Sequence, residues 1–348
     1  MTKVAFAIPG DIDLPTGGYA YDRRVLALLP SLGVDALHLV LPGTYPQPSA
    51  ADLAETRRLL APVPADTVLL IDGLAYGAMP ADLVRSLGRR IVALVHHPLC
   101  LEAELSAQRQ AELRALETAA LSLARHVVVT SPATAKTLAE DFAVPVAKIT
   151  VAEPGTDAAP RAKGTGDPLQ LLAVGSVVPR KAFDLLVRAL MPHADLNWRL
   201  SIVGPTDRSA EALAAVKTAI AQSGMQDRIT LTGPADQVRL DAHYAVADLF
   251  VMPSLYEGYG MVLAEAMARG LPIVCTTGGA AAETAPDAAA LKVPPGDAAA
   301  LSAAIGRLLR DATLRASMSD ASWAAGQSLP RWEQTARTIA DALRRVAA

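Results

Sequence analysis

Short runs of apolar residues recur along this chain, each followed by a longer stretch whose apolar positions repeat every three to four residues. The first kind predicts strands and the second helices. In the first half the strands fall at Val4–Ile8, Ala36–Val40, Thr67–Ile71, Arg90–Val95, His126–Val129 and Ile149–Val151. Helical runs lie between them at Ala20–Leu32, Ala51–Leu60, Ala103–Leu123 and Pro132–Phe142. A second series places strands at Leu169–Val174, Arg199–Val203, Arg228–Leu231, Leu249–Met252, Pro272–Cys275 and Ala289–Val293. Its helices are Phe183–Leu190, Ser209–Ser223, Val238–Val246, Met261–Arg269 and Ala298–Leu309. Apolar strands alternating with helices predict parallel sheets covered on both faces, an α/β architecture.

The alternation breaks over residues 158–168, AAPRAKGTGDP, which are rich in Pro, Gly and charge and carry no periodicity. This reads as an interdomain linker. The expected division is 1–160, a first Rossmann-like domain, and 161–330, a second. A last amphipathic run, Trp332 to Val346, follows Pro330 within 331–348.

Composition narrows the class. A chain of 348 residues with 51% hydrophobic and 19% charged residues builds large cores. A formal charge of −3 gives no footprint for nucleic acid. The two cysteines, Cys100 and Cys275, lie in separate halves and read as free thiols. His97 and Cys100 have a ligand-like spacing, but no second Cys/His pair completes a zinc site. MTKVAFAIPG reads as a first buried strand rather than a signal peptide, and no run reaches the roughly 18 apolar residues that span a bilayer. A cytoplasmic protein is expected. Arg23, Arg24, Arg57, Arg58, Arg85, Arg89 and Arg90 read as solvated helix faces before they read as a lipid-binding patch.

The richest chemistry lies in 251–274, VMPSLYEGYGMVLAEAMARGLPIV. Glu257 and Glu265 stand with seven residues between them, and Gly258-Tyr259-Gly260 follows the first. Glu257 is expected on a loop at a helix N-terminus, and Glu265 about one turn inside that helix. Amides at such a start suit a phosphate, and carboxylates suit sugar hydroxyls. Upstream, a strand runs into Gly175-Ser176 and then Pro179-Arg180-Lys181. Adjacent cations at the carboxyl end of a parallel strand can neutralise a diphosphate. Pro15-Thr16-Gly17-Gly18-Tyr19 follows the first strand, and paired glycines permit positive φ or close backbone approach. His96-His97-Pro98 ends another strand, with imidazole chemistry suited to hydrogen bonding or proton transfer. Leu231-Thr232-Gly233-Pro234 is a further strand exit. Asp236 beyond it serves equally as a helix cap. Gly278-Gly279-Ala280 is either a turn or an approach to a sugar. No G-x-G extends to G-x-G-x-x-G, which argues against a nicotinamide fingerprint.

These residues resemble the E-x7-E motif of retaining nucleotide-sugar glycosyltransferases of family 4, with Glu257-Gly258-Tyr259-Gly260, Glu265-Ala266-Met267-Ala268 and Gly270-Leu271-Pro272 in family order. The resemblance implies a GT-B fold: two Rossmann-like, doubly wound domains, with the last helix crossing back to the first. It implies sugar transfer from a nucleoside diphosphate sugar to a glycan or lipid-linked hydroxyl acceptor, with no metal and no cofactor. Peripheral membrane contact is compatible with it. Glu257 and His96 are then expected at the transferred sugar, with His96 a better positional match than His97. Arg180, Lys181 and Ser176 are expected at the diphosphate, Glu265 at the ribose, and Gly233 with Pro234 at the base. Gly17, Gly18, Gly258, Tyr259, Gly260, Met261 and Val262 complete the donor set. Ala182 stands where the family commonly has Gly after the Lys. The D-x-D of this chain is Asp11-Ile12-Asp13, beside the glycine pair. A nucleotide-sugar epimerase, a GT-B phosphorylase or a non-catalytic sugar-nucleotide-binding module are the alternatives this pattern leaves open.

Overall fold

The structure is a computed structural model that describes residues 1–103 and 105–348. It contains two compact units, one formed by Met1–Gly155 with Pro330–Ala348 and the other by Thr156–Leu329.

The first unit is built on a six-stranded parallel sheet of β1 (Thr2–Pro9), β2 (Val34–Leu41), β3 (Val68–Asp72), β4 (Ile91–Val95), β5 (His126–Val129) and β6 (Ile149–Val151), in the order β2-β1-β3-β4-β5-β6. Period-two alternation sends Ala5, Ala7, Leu69, Ile71, Ala93, Val95, Val127 and Val129 into one core. Their neighbours Val4, Phe6, Ile8, Leu70, Val92, Leu94 and Val128 are as deeply buried on the other face. The helix Trp332–Ala347 packs there against β1, β3, β5 and β6. Its Trp332, Ala336, Ile339, Ala340 and Leu343 form one buried stripe at helical spacing. A Cβ at Gly155 would lie 2.3 Å from the Trp332 amide, so only glycine lets the two segments meet.

The second unit repeats the plan with β7 (Leu169–Val174), β8 (Trp198–Val203), β9 (Ile229–Gly233), β10 (Leu249–Met252), β11 (Ile273–Thr276) and β12 (Ala290–Val293), in the order β12-β11-β10-β7-β8-β9. Leu171, Ala173, Leu200, Ile202, Leu249 and Val251 face one core, while Leu172, Val203, Phe250, Met252, Ile273 and Cys275 face the other. Both cysteines are free and buried.

Each sheet has a point at which strand order reverses, between β1 and β3 in the first and between β7 and β10 in the second. Loops leaving the carboxyl ends of such strands diverge to opposite faces and open a crevice, the place where open α/β sheets take ligands.

Several expectations need adjustment. The helix read over Ala103–Leu123 spans Ala107–Leu123, capped by Ser106, and residue 104 of that reading lies outside the described residues. The stretch read as an interdomain linker is hydrogen-bonded along the second unit. The Ala162 amide donates to the Arg269 carbonyl and the Lys163 amide to that of Ala245. The Asp248 carboxylate takes up the amides of Thr165, Gly166 and Gln170. A helix at Ala312–Gln327 was not expected at all. Its buried positions are Met318, Ser322 and Gly326, and a Cβ at Gly326 would stand 2.2 Å from the Met267 carbonyl oxygen. It packs by small residues at close range, so it carries no large apolar stripe to read.

Candidate active site

In the second unit the loops after β7 and β10 bring together Arg180, Lys181 and Glu257. A short 3-10 turn, Pro179–Lys181, presents both cations, and the Arg180 carbonyl accepts from the Leu255 amide at 2.7 Å. Lys181 Nζ lies 2.5 Å from Glu257 Oε1, and Arg180 Nη1 lies 3.3 Å from Glu257 Oε2. Arg180 Nη1 also donates to the Tyr256 carbonyl at 2.6 Å. The side chains are only 16%, 13% and 8% exposed for Arg180, Lys181 and Glu257, so this is not a solvated basic pair. Burial alone would raise the Glu257 carboxyl, but Lys181 and then Arg180 override it and hold it down at about 2. Two cations meet one carboxylate, which leaves positive charge for an anionic ligand.

The main chain of Glu257 is pinned from below. Its amide donates to the Gly278 carbonyl at 3.1 Å and its carbonyl accepts from the Ala280 amide at 2.8 Å. A Cβ at Gly278 would lie 2.1 Å from the Leu255 oxygen, and one at Gly279, where φ is 64°, would lie 2.3 Å from the Glu257 oxygen. Gly278-Gly279 therefore forms the floor under Glu257, a role its sequence as a bare Gly-Gly did not distinguish from a turn. Gly260, at φ 88°, starts the helix Met261–Ala268 without a side-chain cap. Tyr259 is buried, and Met261 and Val262 are half-buried on the first turn.

Glu265 lies one turn further. Its Oε2 accepts from the Tyr244 hydroxyl at 2.9 Å, and among the described residues no partner is recorded for its Oε1. Burial raises its pKa, partly offset by the Tyr244 hydrogen bond. Tyr244 is itself fully buried under Arg269, whose guanidinium sits 4.3 Å from the ring centre. Sequence reading missed Tyr244, although a tyrosine in a polar helix facing an apolar strand is a signal for a buried hydroxyl seeking an acceptor. Ser176 follows Gly175 at the end of β7, where Gly204 makes close approach possible: a Cβ there would stand 2.1 Å from the Gly175 oxygen. Gly233 ends β9 at φ 72°, its carbonyl accepting from the Gly204 amide, and Pro234 is exposed beside it. Asp236 caps the helix Gln237–Val246 by accepting from the Arg239 amide, at 2.8 Å.

In the first unit His96 is the centre. Its Nε2 lies 3.2 Å from Asp22 Oδ1 and 3.3 Å from Asp72 Oδ2. Asp22 sits on the helix Gly17–Leu28, and Asp72 ends β3 and caps the next turn through the Leu74 amide, 2.8 Å away. Burial would lower the imidazole, but Asp22 and then Asp72 raise it to about 10. Asp22 is raised too, to about 7, chiefly by burial. The two carboxylates favour the protonated imidazole, which suits the hydrogen-bonding role expected of His96. His97 instead pairs locally with Glu102 at 3.2 Å.

Gly17 and Gly18, read as a loop before a helix starting near Ala20, are instead the first turn of that helix, behind the cap Thr16, and neither has positive φ. Gly18 faces His96, and a Cβ there would make ordinary van der Waals contact with Cδ2, at 3.4 Å.

Among the described residues, Asp22, Asp72 and His96 are the group of carboxylate and imidazole atoms close enough to hold a metal, all within 4.8 Å of one another. Asp11 and Asp13 are exposed and fold into a local turn, with the Asp13 amide on Asp11 Oδ1. Several first-half arginines are spent on nearby carbonyls or carboxylates: Arg23 on Ile12 and Leu14, Arg58 on Glu55, Arg89 on Val63 and Ala61, and Arg90 on Ala347.

The fold agrees with comparison to known proteins. The family described as Glycosyltransferase Family 4 matches residues 16–159, and that described as Glycosyl transferases group 1 matches residues 168–311. The chain belongs to the glycosyltransferases of family 4, and its two doubly wound parallel-sheet units are of the GT-B type. D-inositol 3-phosphate glycosyltransferase of Nocardia farcinica is 33% identical over 210 residues, which is 57% of this chain and 46% of that one. The chain thus spans about half the length of several curated relatives it matches. MMP alpha-(1->4)-mannosyltransferase of Mycolicibacterium hassiacum is 26% identical over 303 residues, 80% of this chain and 70% of that one. Among solved structures, sucrose-phosphate synthase of Thermosynechococcus elongatus superposes with a TM-score of 0.84 at 22% identity, covering 99% of both chains. Anabaena Alr3699/HepE in complex with UDP-glucose gives 0.76 at 17% identity, covering 99% of this chain and all of that one.

Proposed function

We propose that the protein is a retaining glycosyltransferase that moves a sugar from a nucleoside diphosphate sugar to a hydroxyl of a glycan or lipid-linked acceptor. The observation that carries this is the buried pairing of Arg180 and Lys181 with Glu257 where strand order reverses. As the sugar leaves, charge grows on the diphosphate oxygen. A guanidinium and an ammonium fixed beside that oxygen stabilise it more in the transition state than before. They supply the charge a metal would otherwise bring, so no metal is needed in this reading. Glu257, kept ionised, accepts from hydroxyls of the transferred sugar, and Glu265, with one oxygen on Tyr244, accepts from the ribose. Ser176 and the turn from Gly258 to Val262 complete the diphosphate cradle, and Gly233 with Pro234 border the base. His96 donates to a hydroxyl of the sugar substrate, and the narrow Gly17-Gly18 turn leaves room beside it. Retention follows from the family resemblance. The relatives include a D-inositol 3-phosphate glycosyltransferase and a GDP-mannose-dependent phosphatidylinositol monomannoside mannosyltransferase, and Alr3699/HepE is described with UDP and UDP-glucose. Among the described residues no helix is long and apolar enough to cross a membrane, so a lipid-linked acceptor would be met peripherally.

A panel of nucleoside diphosphate sugars tests the reading, with product release followed by mass spectrometry before and after exhaustive chelation. Transfer or slow hydrolysis of at least one donor, unchanged by EDTA, is expected. Epimerised donor without release, or binding without turnover of any donor, would overturn it.

A further inference from the structure

The buried surroundings of His96 hold more acid than a histidine needs. Asp22 is fully buried and Asp72 is 2% exposed, yet both direct an oxygen to the same nitrogen. An Nε2–H points along one direction and satisfies one acceptor well, so the second carboxylate acts mainly through charge. Among the described residues no hydrogen-bond partner is present for the buried Asp22 Oδ2, and Asp72 lies close enough to raise the Asp22 carboxyl further. The ring has little freedom. Tyr21 meets it edge-on at 5.3 Å, and the Thr130 hydroxyl donates to the His96 carbonyl at 3.0 Å. Turning the ring over would present a C–H to two buried carboxylates. Among the described residues no partner is recorded for Nδ1.

We propose that Asp22 and Asp72 are positioning residues that clamp the Nε2 edge of His96 and so dedicate Nδ1 to donating a hydrogen bond to a hydroxyl of the sugar substrate. The role of His96 toward sugar rests on the function proposed above; the clamp itself does not. The groups facing His96 are Asp22 and Tyr21 from the helix Gly17–Leu28 and Asp72 from the end of β3. Tyr21 is held protonated by burial and Asp22, and lies between His96 and Trp332, over which Arg24 sits. The two carboxylates favour the second ring proton of His96, and removing the charge of either lets it leave sooner.

The test has two arms on the full chain. Imidazole NMR of wild type, with the His96 resonance assigned from His96→Gln, should place its midpoint well above the ordinary range. Asp22→Asn and Asp72→Asn should each lower it by roughly 1–3 on the pH scale. Asn keeps an oxygen for the Leu74 amide, so Asp72→Asn preserves the cap, and the pair guards against one variant failing to fold. In the second arm the alkaline limb of kcat/KM should move to lower pH in both variants, while nucleoside diphosphate binding by calorimetry stays constant. A purely structural role would depress activity at every pH and leave the limb in place. A wild-type midpoint near the ordinary histidine value overturns the clamp, as does Zn²⁺ or Mn²⁺ binding that disappears in Asp22→Asn. Loss of all transfer with the NMR shifts intact would overturn the proposed reaction and leave the clamp standing.

Discussion

The two units place opposite charge at equivalent points of the same architecture. Where strand order reverses in the second sheet, two cations enclose one carboxylate; in the first, two carboxylates enclose one imidazole. Burial opposes charge at both, and the neighbours override it: Lys181 and Arg180 hold Glu257 ionised, while Asp22 and Asp72 favour the protonated form of His96. The first arrangement suits an anionic ligand such as a diphosphate. The second repels anions and suits neutral hydroxyls that need a donor held in place. One fold thus supplies two chemistries, and the difference resides in which residue type ends each strand.

The sharpest way to break this contrast is to remove the cations. Arg180→Ala should cost about 2–4 kcal/mol of transition-state stabilisation, read in kcat/KM, with a loss of affinity for free nucleoside diphosphate. Lys181→Ala should act in the same direction. Near-normal turnover with both residues replaced would put the diphosphate elsewhere.

Acid and alkali should then act on the two centres in mirror image. The Glu257 carboxyl is held at about 2 against an ordinary 4.5, so the ionised form stabilises the fold fully above 4.5 and the benefit is lost as pH falls toward 2. The shift corresponds to at most about 3 kcal/mol. His96 is raised to about 10 against an ordinary 6.5, so its contribution is complete below 6.5 and lost as pH rises through 10. The melting temperature of wild type minus that of Glu257→Gln should shrink on acidification, and wild type minus His96→Gln should shrink toward alkali. Two differences that stay flat with pH would remove the electrostatic basis of the comparison.

How much of this was legible in sequence differs between the units. All twelve strands fall where apolar runs placed them, within a few residues at their ends, because parallel strands buried on both faces are written as continuous apolar segments. The second-unit centre was nearly complete in sequence, since Glu257, Glu265, Arg180 and Lys181 sit in two short motifs beside strand ends. The first-unit centre was not. His96 stood out before Pro98, but Asp22 lies 74 residues away and Asp72 on another strand, and only folding joins them. A signal existed: Asp22 interrupts the buried stripe of Tyr21 and Val25, and a carboxylate there needs a partner. Gly278 and Gly279 were visible as glycines, but the backbone they support was not.

That support gives the next prediction. Gly278→Ala brings a Cβ into the Leu255 carbonyl, a backbone atom with no flexible end to give way. It should destabilise the second unit by about 1–3 kcal/mol and displace Glu257 from its cations. Chemical denaturation, together with donor binding, checks it. Gly33→Ala is the contrast, because no atom lies within 4 Å of a Cβ there and only φ is unfavourable, at +74°. Equal effects from both substitutions would show that conformation, and not the floor under Glu257, sets the cost.

The smallest effect lies next to the cations. Ala182 follows Lys181 with φ 48° and ψ 41°, and leads directly into the helix Phe183–Leu190. A left-handed residue here lets the chain turn from the 3-10 segment into the helix while both cations stay on one side, which fits the Gly that the family resemblance leads one to expect. An L residue with a Cβ bears a strain of about 1–2 kcal/mol there, and Gly relieves it at an entropic cost of about 0.5–1 kcal/mol. Ala182→Gly should therefore stabilise the protein by about 0–1.5 kcal/mol, with donor affinity no weaker than before. Ala182→Val should move stability the opposite way, because a β-branched side chain tolerates positive φ least. Denaturation midpoints of the three proteins decide it. An order other than Gly, Ala, Val from most to least stable would mean that the turn presenting Arg180 and Lys181 does not need its left-handed residue.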